Sequence, residues 1–266
     1  MTPGFAKSRQ ELFWLPYPEP DRVIINAHNF TPSWTPNVNG KSPIAAWVPS
    51  RDTAGNGTTT LTDFAGSFNG TLTNMETSDW VSDTSAGGIR ALEFDGSNED
   101  VRMGTIAAIN GATVASFSAW IYKASTGATV GLGGAAGIGT DGNRFAVIWF
   151  SDGNMYTAAG STSLAYGSTA VSGTGWRHVV VNYLGAGATN ADRLKVSVDG
   201  TAKTLGFFGT IPSALGAVTP NWSLGRDASN RYCAGRIDDV RLFTQTLNSS
   251  DIAALYASGA GRGVQA

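Results

Sequence analysis

An all-β fold, two antiparallel sheets stacked as a sandwich, is predicted by three observations. Short apolar runs of strand length recur along most of the chain, turn signals separate them at close intervals, and only one segment carries a helix pattern. The 34 glycines, with abundant Ser, Thr and Asn, supply the left-handed and side-chain-to-backbone geometries that tight turns need. A hydrophobic share of 42% is enough to fill a large core.

From the N-terminus, residues 1–42 read as an extended arm. Eight of the 10 prolines lie at or before Pro49, and L-F-W-L-P-Y-P-E-P at Leu12 to Pro20 mixes proline with aromatic residues. Proline fixes φ and removes a donor, so this stretch is extended, with one short strand expected at Val23 to Asn26. The arm also carries Phe5, Phe13, Trp14, Tyr17, Phe30 and Trp34. Disordered tails are poor in aromatics, so these six are expected contacts: either the arm wraps its own body or it docks on a neighbouring subunit.

Residues 43–266 form the body. Strands are predicted at Ile44 to Val48, Ile89 to Asp95 and Asp100 to Met103, and at Val114 to Tyr122, which is apolar on both faces. Arg144 to Phe150 and Met155 to Thr157 flank S-D-G-N, a hairpin signal. Trp176 to Leu184 follows, then Arg193 to Val198, which alternates cleanly, then the Asp199-Gly200 turn into Thr201 to Leu205. Asn221 to Gly225 and Gly235 to Phe243 complete the set. The one predicted helix starts at an Asn248 or Ser249 cap, carries Asp251 in its first turn and ends at Gly259.

From Phe64 onward the order of segments resembles the concanavalin A-like jelly rolls known as laminin G-like domains. The pieces are L-T-D-F-A-G-S-F-N-G-T-L-T-N at Leu61 to Asn74, A-L-E-F-D-G-S-N-E-D-V at Ala91 to Val101 and F-S-A-W-I-Y at Phe117 to Tyr122. G-W-R-H-V-V-V-N-Y at Gly175 to Tyr183, L-K-V-S-V-D-G at Leu194 to Gly200, W-S-L-G-R-D at Trp222 to Asp227 and G-R-I-D-D-V-R-L-F at Gly235 to Phe243 follow in order. The resemblance implies a two-sheet jelly roll with one short C-terminal helix and a tendency toward glycan or surface recognition. The first 42 residues match nothing in it.

Chemistry is sparse. Glycoside hydrolysis needs two flanking carboxylates, and the glucanase relatives place them as E-x-D-x-E. Of five glutamates, Glu11, Glu19, Glu76, Glu93 and Glu99, only Glu93-Phe94-Asp95 approaches that pattern; Asp95 reads better as a turn residue. His28 and His178 come without a G-x-S-x-G elbow, and His178 reads as a sheet histidine with a hydrogen-bond partner. Two histidines and Cys233 do not make a zinc site. Gly137 to Gly142 fits G-x-G-x-x-G but precedes a strand, so it is a turn. A loop-stapling calcium, which some laminin G-like domains hold, would fall on Asp63 and Asp238; the plainer reading makes them a turn residue and a partner of arginine or backbone donors. Trp120, Trp149, Trp176 and Trp222 lie in strands and read as core.

A net charge of −2 and scattered Arg give no footprint for nucleic acid or an anionic membrane. Cys233 has no internal disulfide partner. No apolar run is long enough to cross a membrane, and Met1 to Gln10 lack a signal-peptide h-region. The sequence thus predicts a non-catalytic, cofactor-free jelly roll that decorates or builds the surface of a larger assembly, a virion being the leading candidate, as a homo-oligomer anchored by its arm. The alternative is a module for adhesion to cell-surface or polysaccharide glycans.

Overall fold

Two strands organise the molecule, and both were expected from their apolar content: Val114–Lys123 and Gly175–Leu184, each 10 residues long. They pair antiparallel over their whole length, Gly175 opposite Lys123 and Leu184 opposite Val114. Because side chains alternate across a strand, this register sets Phe117, Ala119 and Ile121 inward with Val179, Val181 and Tyr183. The computed structural model describes residues 35–52, 57–83, 89–135, 144–160, 164–217, 222–226 and 232–258.

In chain order the strands are β1 (Ala45–Trp47), β2 (Thr60–Leu61), β3 (Gly70–Thr73), β4 (Trp80–Asp83), β5 (Ile89–Asp95), β6 (Asp100–Gly104), β7 (Val114–Lys123), β8 (Val130–Ala135) and β9 (Arg144–Trp149). Then come β10 (Asn154–Ala159), β11 (Tyr166–Ala170), β12 (Gly175–Leu184), β13 (Leu194–Val198), β14 (Thr201–Lys203), β15 (Gly206–Phe208), β16 (Trp222–Leu224) and β17 (Ala234–Phe243). One eight-stranded sheet runs β14-β13-β12-β7-β17-β5-β4, with β1 also paired to β17. The other, nine-stranded, runs β15-β11-β10-β9-β8-β16-β6-β3-β2. All the pairs are antiparallel, and the two sheets form a sandwich, as predicted.

Between the sheets the core is aromatic. Trp47 stacks on Trp222 with ring centres 5.2 Å apart, and Phe117 meets both Trp222 and Phe145 edge-on. Such offset and edge-on pairs add to the gain from apolar burial. At Gly225, where the chain leaves β16 with φ +78°, a Cβ would come within 2.2 Å of the Phe94 ring, so only glycine fits.

Several short strands fall outside the sequence expectation: β2, β3, β4, β8, β11 and β15. β5 and β6, neighbours in sequence, lie in opposite sheets, so Gly96 to Glu99 carries the chain across the sandwich rather than closing a hairpin. A single helical turn, α1 (Asn190–Arg193), was also not expected; Thr189 caps it, accepting from the Asp192 N–H while Asp192 accepts from the Thr189 N–H. The expected C-terminal helix is α2 (Ser249–Ser258). Asn248 caps it: its Oδ1 accepts from the Asp251 N–H, and Asp251 accepts from the Asn248 N–H in return. Ile252 and Leu255 bury their side chains with Val180, Phe243 and Leu247 on the outward face of the eight-stranded sheet.

The chain divides into two units, Met1–Thr35 and Pro36–Ala266, and the sandwich belongs to the second. The expected strand at Val23 to Asn26, the G-x-G-x-x-G turn at Gly137 to Gly142 and the helix end at Gly259 lie outside the described residues. So do the arm contacts Phe5, Phe13, Trp14, Tyr17, Phe30 and Trp34.

Candidate functional site

The residues that chemistry singles out are occupied structurally. Glu93 pairs with Arg236 on the neighbouring strand, Nε to Oε1 2.9 Å, and Asp95 accepts from the Ser97 N–H at 2.7 Å, the turn role expected of it. Asp63 accepts from three backbone N–H groups, those of Ala46, Ala65 and Phe68, at 2.7 to 3.0 Å. Asp238, fully buried, accepts from the Ser50 N–H at 3.1 Å. Among the described residues no group of three or more His, Cys, Asp or Glu is placed to hold a metal ion.

His178 is the sheet histidine that was expected, and Ser118 is its partner: Oγ to Nε2 is 3.0 Å. On an open surface that contact would suggest a hydrolase dyad. Here both residues are 1% exposed, and the imidazole packs against the rings of Trp120 and Tyr256. A substrate carbonyl has no route to Oγ.

Six tryptophans are described, Trp47, Trp80, Trp120, Trp149, Trp176 and Trp222, and every one is buried. The four read as core from sequence are core. Tyrosine and phenylalanine instead form an aromatic surface on the outward face of the nine-stranded sheet, with Phe208 exposed and Tyr156 and Tyr166 half-buried.

That surface follows from strand alternation. On β10, Met155, Thr157 and Ala159 face the core, which sends Tyr156 outward. Ala158 stands opposite Tyr166 on β11, so Tyr166 shares the outward face, and Tyr166 stands opposite Phe208 on β15. Phe208 is 55% exposed, one of two large hydrophobic side chains among the described residues with more than about a third of their surface open to solvent. The Tyr166 and Phe208 rings stack at 5.3 Å with 16° between their planes, and Tyr156 meets Tyr166 edge-on at 5.5 Å. Phe150 closes the strip, edge-on to Tyr156 at 5.2 Å.

Polar groups border the rings. The Tyr156 hydroxyl donates to Asp152 Oδ2 at 2.8 Å, and that bond, with some burial, holds the phenol above its usual pKa. The strip crosses from β10 to β15 over two inter-strand spacings, about 10 Å, the length of a short oligosaccharide. No sequence signal pointed to it. The outward alternation of Tyr156 was readable, but the pairing of Tyr166 with Phe208 is a matter of register between distant segments.

A lectin-type sandwich with an aromatic strip on one open sheet is the class defined by this fold and surface. The chain belongs to the concanavalin A-like lectin/glucanases superfamily, whose laminin G-like family model matches residues 95–253. No curated protein sequence matches it. Among solved structures it is similar to the sialidase of Trypanosoma rangeli, at 14% identity and a TM-score of 0.57, over 92% of this chain and 39% of that one. It is also similar to domain 4 of AbnA, a GH43 extracellular arabinanase from Geobacillus stearothermophilus, solved in complex with arabinotriose. That match has 18% identity and a TM-score of 0.52, and covers 81% of this chain and 98% of that domain. The chain therefore spans only about two fifths of the sialidase but nearly all of the arabinanase domain. At such identities these likenesses speak for the fold. Among the described residues, no helix is long and apolar enough to cross a membrane.

Proposed function

We propose that this protein is a non-catalytic carbohydrate-binding module, and that the strip of Tyr156, Tyr166 and Phe208 receives the glycan. One observation carries the reading: three aromatic rings, each in contact with the next, lie on an outward sheet face where folding gains nothing from leaving Phe208 more than half exposed. Aromatic faces stack on the C–H faces of sugar rings, and Asp152, bonded to the Tyr156 hydroxyl, and Ser168, opposite Tyr156 on β11, are the polar residues beside them to meet sugar hydroxyls. A lectin-type family and a neighbour domain solved with arabinotriose support the same class of ligand.

Binding without turnover is the part consistent with Glu93, Asp95 and His178 all being engaged elsewhere. The assembly role expected from the arm draws no support from the comparisons, and its six aromatic contacts lie outside the described residues. The test is retention on a panel of insoluble polysaccharides, comparing the native protein with a Tyr166→Ala/Phe208→Ala double variant. Retention on at least one polysaccharide, lost in the folded double variant, supports the reading. Equal retention of both proteins, or retention of neither, overturns it.

A further inference from the structure

At one end of the sandwich, where the sheets part, a pocket of about 250 Å³ is lined by Ala170, Val171, Ser172, Arg177, Val198, Asp199 and Lys203. Its position follows from register. Val198 and Val196 on β13 face inward, and Lys203 stands opposite Val196 on the edge strand β14, so its side chain heads into the gap between the sheets. Arg177, inward on β12, lies over the indole of Trp149 with 5.7 Å from guanidinium to ring centre. Asp199 is held in the left-handed region, φ 51°, by the Asp199-Gly200 turn, and its Oδ1 accepts from the His178 N–H at 2.9 Å.

The charges in this pocket do not cancel. Arg177 and Lys203 bring two positive charges, and Asp199 one negative. Arg177 Nε stands 3.5 Å from Asp199 Oδ2, Nη1 donates to the Trp176 carbonyl and Nη2 reaches the Ser172 carbonyl. A guanidinium has five N–H donors, so part of the fork is left for another acceptor. Among the described residues the Lys203 ammonium makes no hydrogen bond or ion pair. An inward lysine on an edge strand is a known guard against strand pairing, but that role accounts for neither the partly spent guanidinium nor the open space before it.

We propose that this pocket binds the anionic group of an acidic sugar, a carboxylate or a sulfate ester. The net charge of one matches a monoanion; a phosphate dianion would leave charge uncompensated next to Asp199. Arg177 supplies a planar fork and Lys203 a mobile point charge, while the Asp199 carboxylate accepts from a neighbouring hydroxyl. The pocket takes one charged ring, not an oligosaccharide. Ala170 faces outward on the same strand as Tyr166, four residues on, about 13 Å at a strand's rise. Ala170 thus ties the lining of the pocket to the strand that carries Tyr166. The proposal rests on the glycan-binding reading only for the kind of molecule that carries the anion.

The test is calorimetric titration with three trisaccharides: trigalacturonate, a sulfated galactotriose and neutral galactotriose. Each is run on the native protein, on Lys203→Gln and on Tyr166→Ala/Phe208→Ala. One of the two acidic ligands should bind about tenfold more tightly than the neutral one, the scale of one charge-assisted hydrogen bond; which of them does so tells carboxylate from sulfate. Lys203→Gln should abolish that preference and leave the neutral affinity unchanged. If neutral sugar binds and neither acid gains, or if Lys203→Gln keeps the full preference, the pocket proposal is wrong and the strip stands. If the acidic preference depends on Lys203 while the double aromatic variant binds all three ligands as before, the strip is wrong and the pocket stands. No binding of any of the three overturns the pocket proposal.

Discussion

The ring of Phe208 lies 5.3 Å from that of Tyr166 and only 16° from parallel, on strands that reach each other from distant parts of the chain. Stacking of this kind fixes both rings before any ligand arrives, so little side-chain freedom remains to be lost on binding. If the strip is the glycan surface, Tyr166→Ala and Phe208→Ala should each weaken binding about tenfold, the scale of about 1.4 kcal/mol for one aromatic contact. Because Phe208 is more than half exposed, its loss should leave thermal stability nearly unchanged. Titration and a melting curve on the same sample check both halves.

The core responds differently. Trp222 is fully buried, stacked on Trp47 and met edge-on by Phe117. Trp222→Ala should cost about 3–5 kcal/mol, read as a lower denaturant midpoint. Gly225→Ala should also destabilise, since the new methyl meets the Phe94 ring in a backbone conformation that L residues avoid.

Asp63 gathers the chain between β2 and β3 through backbone donors. Asp63→Ala strands three N–H groups and should cost about 3 kcal/mol or more. Asp63→Asn, which keeps one acceptor oxygen, should cost roughly half as much. Since the carboxylate of Asp63 is spent in this way, adding a calcium chelator should not shift the melting temperature. A drop of several degrees would return Asp63 and Asp238 to the list of calcium ligands.

Glu99 makes stability depend on pH. It is 7% exposed, and its pKa is pushed up to about 7, chiefly by burial, with Asp79, Asp95 and Glu76 nearby and the Asp95 N–H opposing. Its ordinary value is 4.5, so between these two values the folded protein holds a proton that the unfolded chain has released. The stability this group contributes is complete below the lower value and is lost as pH rises through about 7. Glu99→Gln, which still accepts from the Asp95 N–H, should match the native protein at acid pH and exceed it at pH above 7. Denaturant midpoints across that range decide the matter.

How much was legible depended on how far each strand specifies itself. β5, β7, β12 and β17 were read from sequence because 7 to 10 residues of apolar or alternating pattern mark them without help. β8 reads V-G-L-G-G-A, and glycine hides a strand whose place is set by its partners β9 and β16. β2 and β15, two and three residues long, exist only as rungs added to β3 and β11. The turn residues Asp63 and Asp95, the histidine His178 and the core tryptophans were assigned correctly because burial and turn chemistry are local matters. The aromatic strip was not, because its rings meet only through the order β10-β11-β15 and the register that sets Tyr166 opposite Phe208.

The decisive measurement is a map of backbone amide shifts on adding a glycan that the protein retains. The account predicts the largest changes on β10, β11, β15 and the turn at Asp152, centred on Tyr156, Tyr166 and Phe208, with Arg177 and Lys203 joining them only for an acidic glycan. Changes centred on the eight-stranded sheet around Trp120 and His178, with the strip silent, would contradict it.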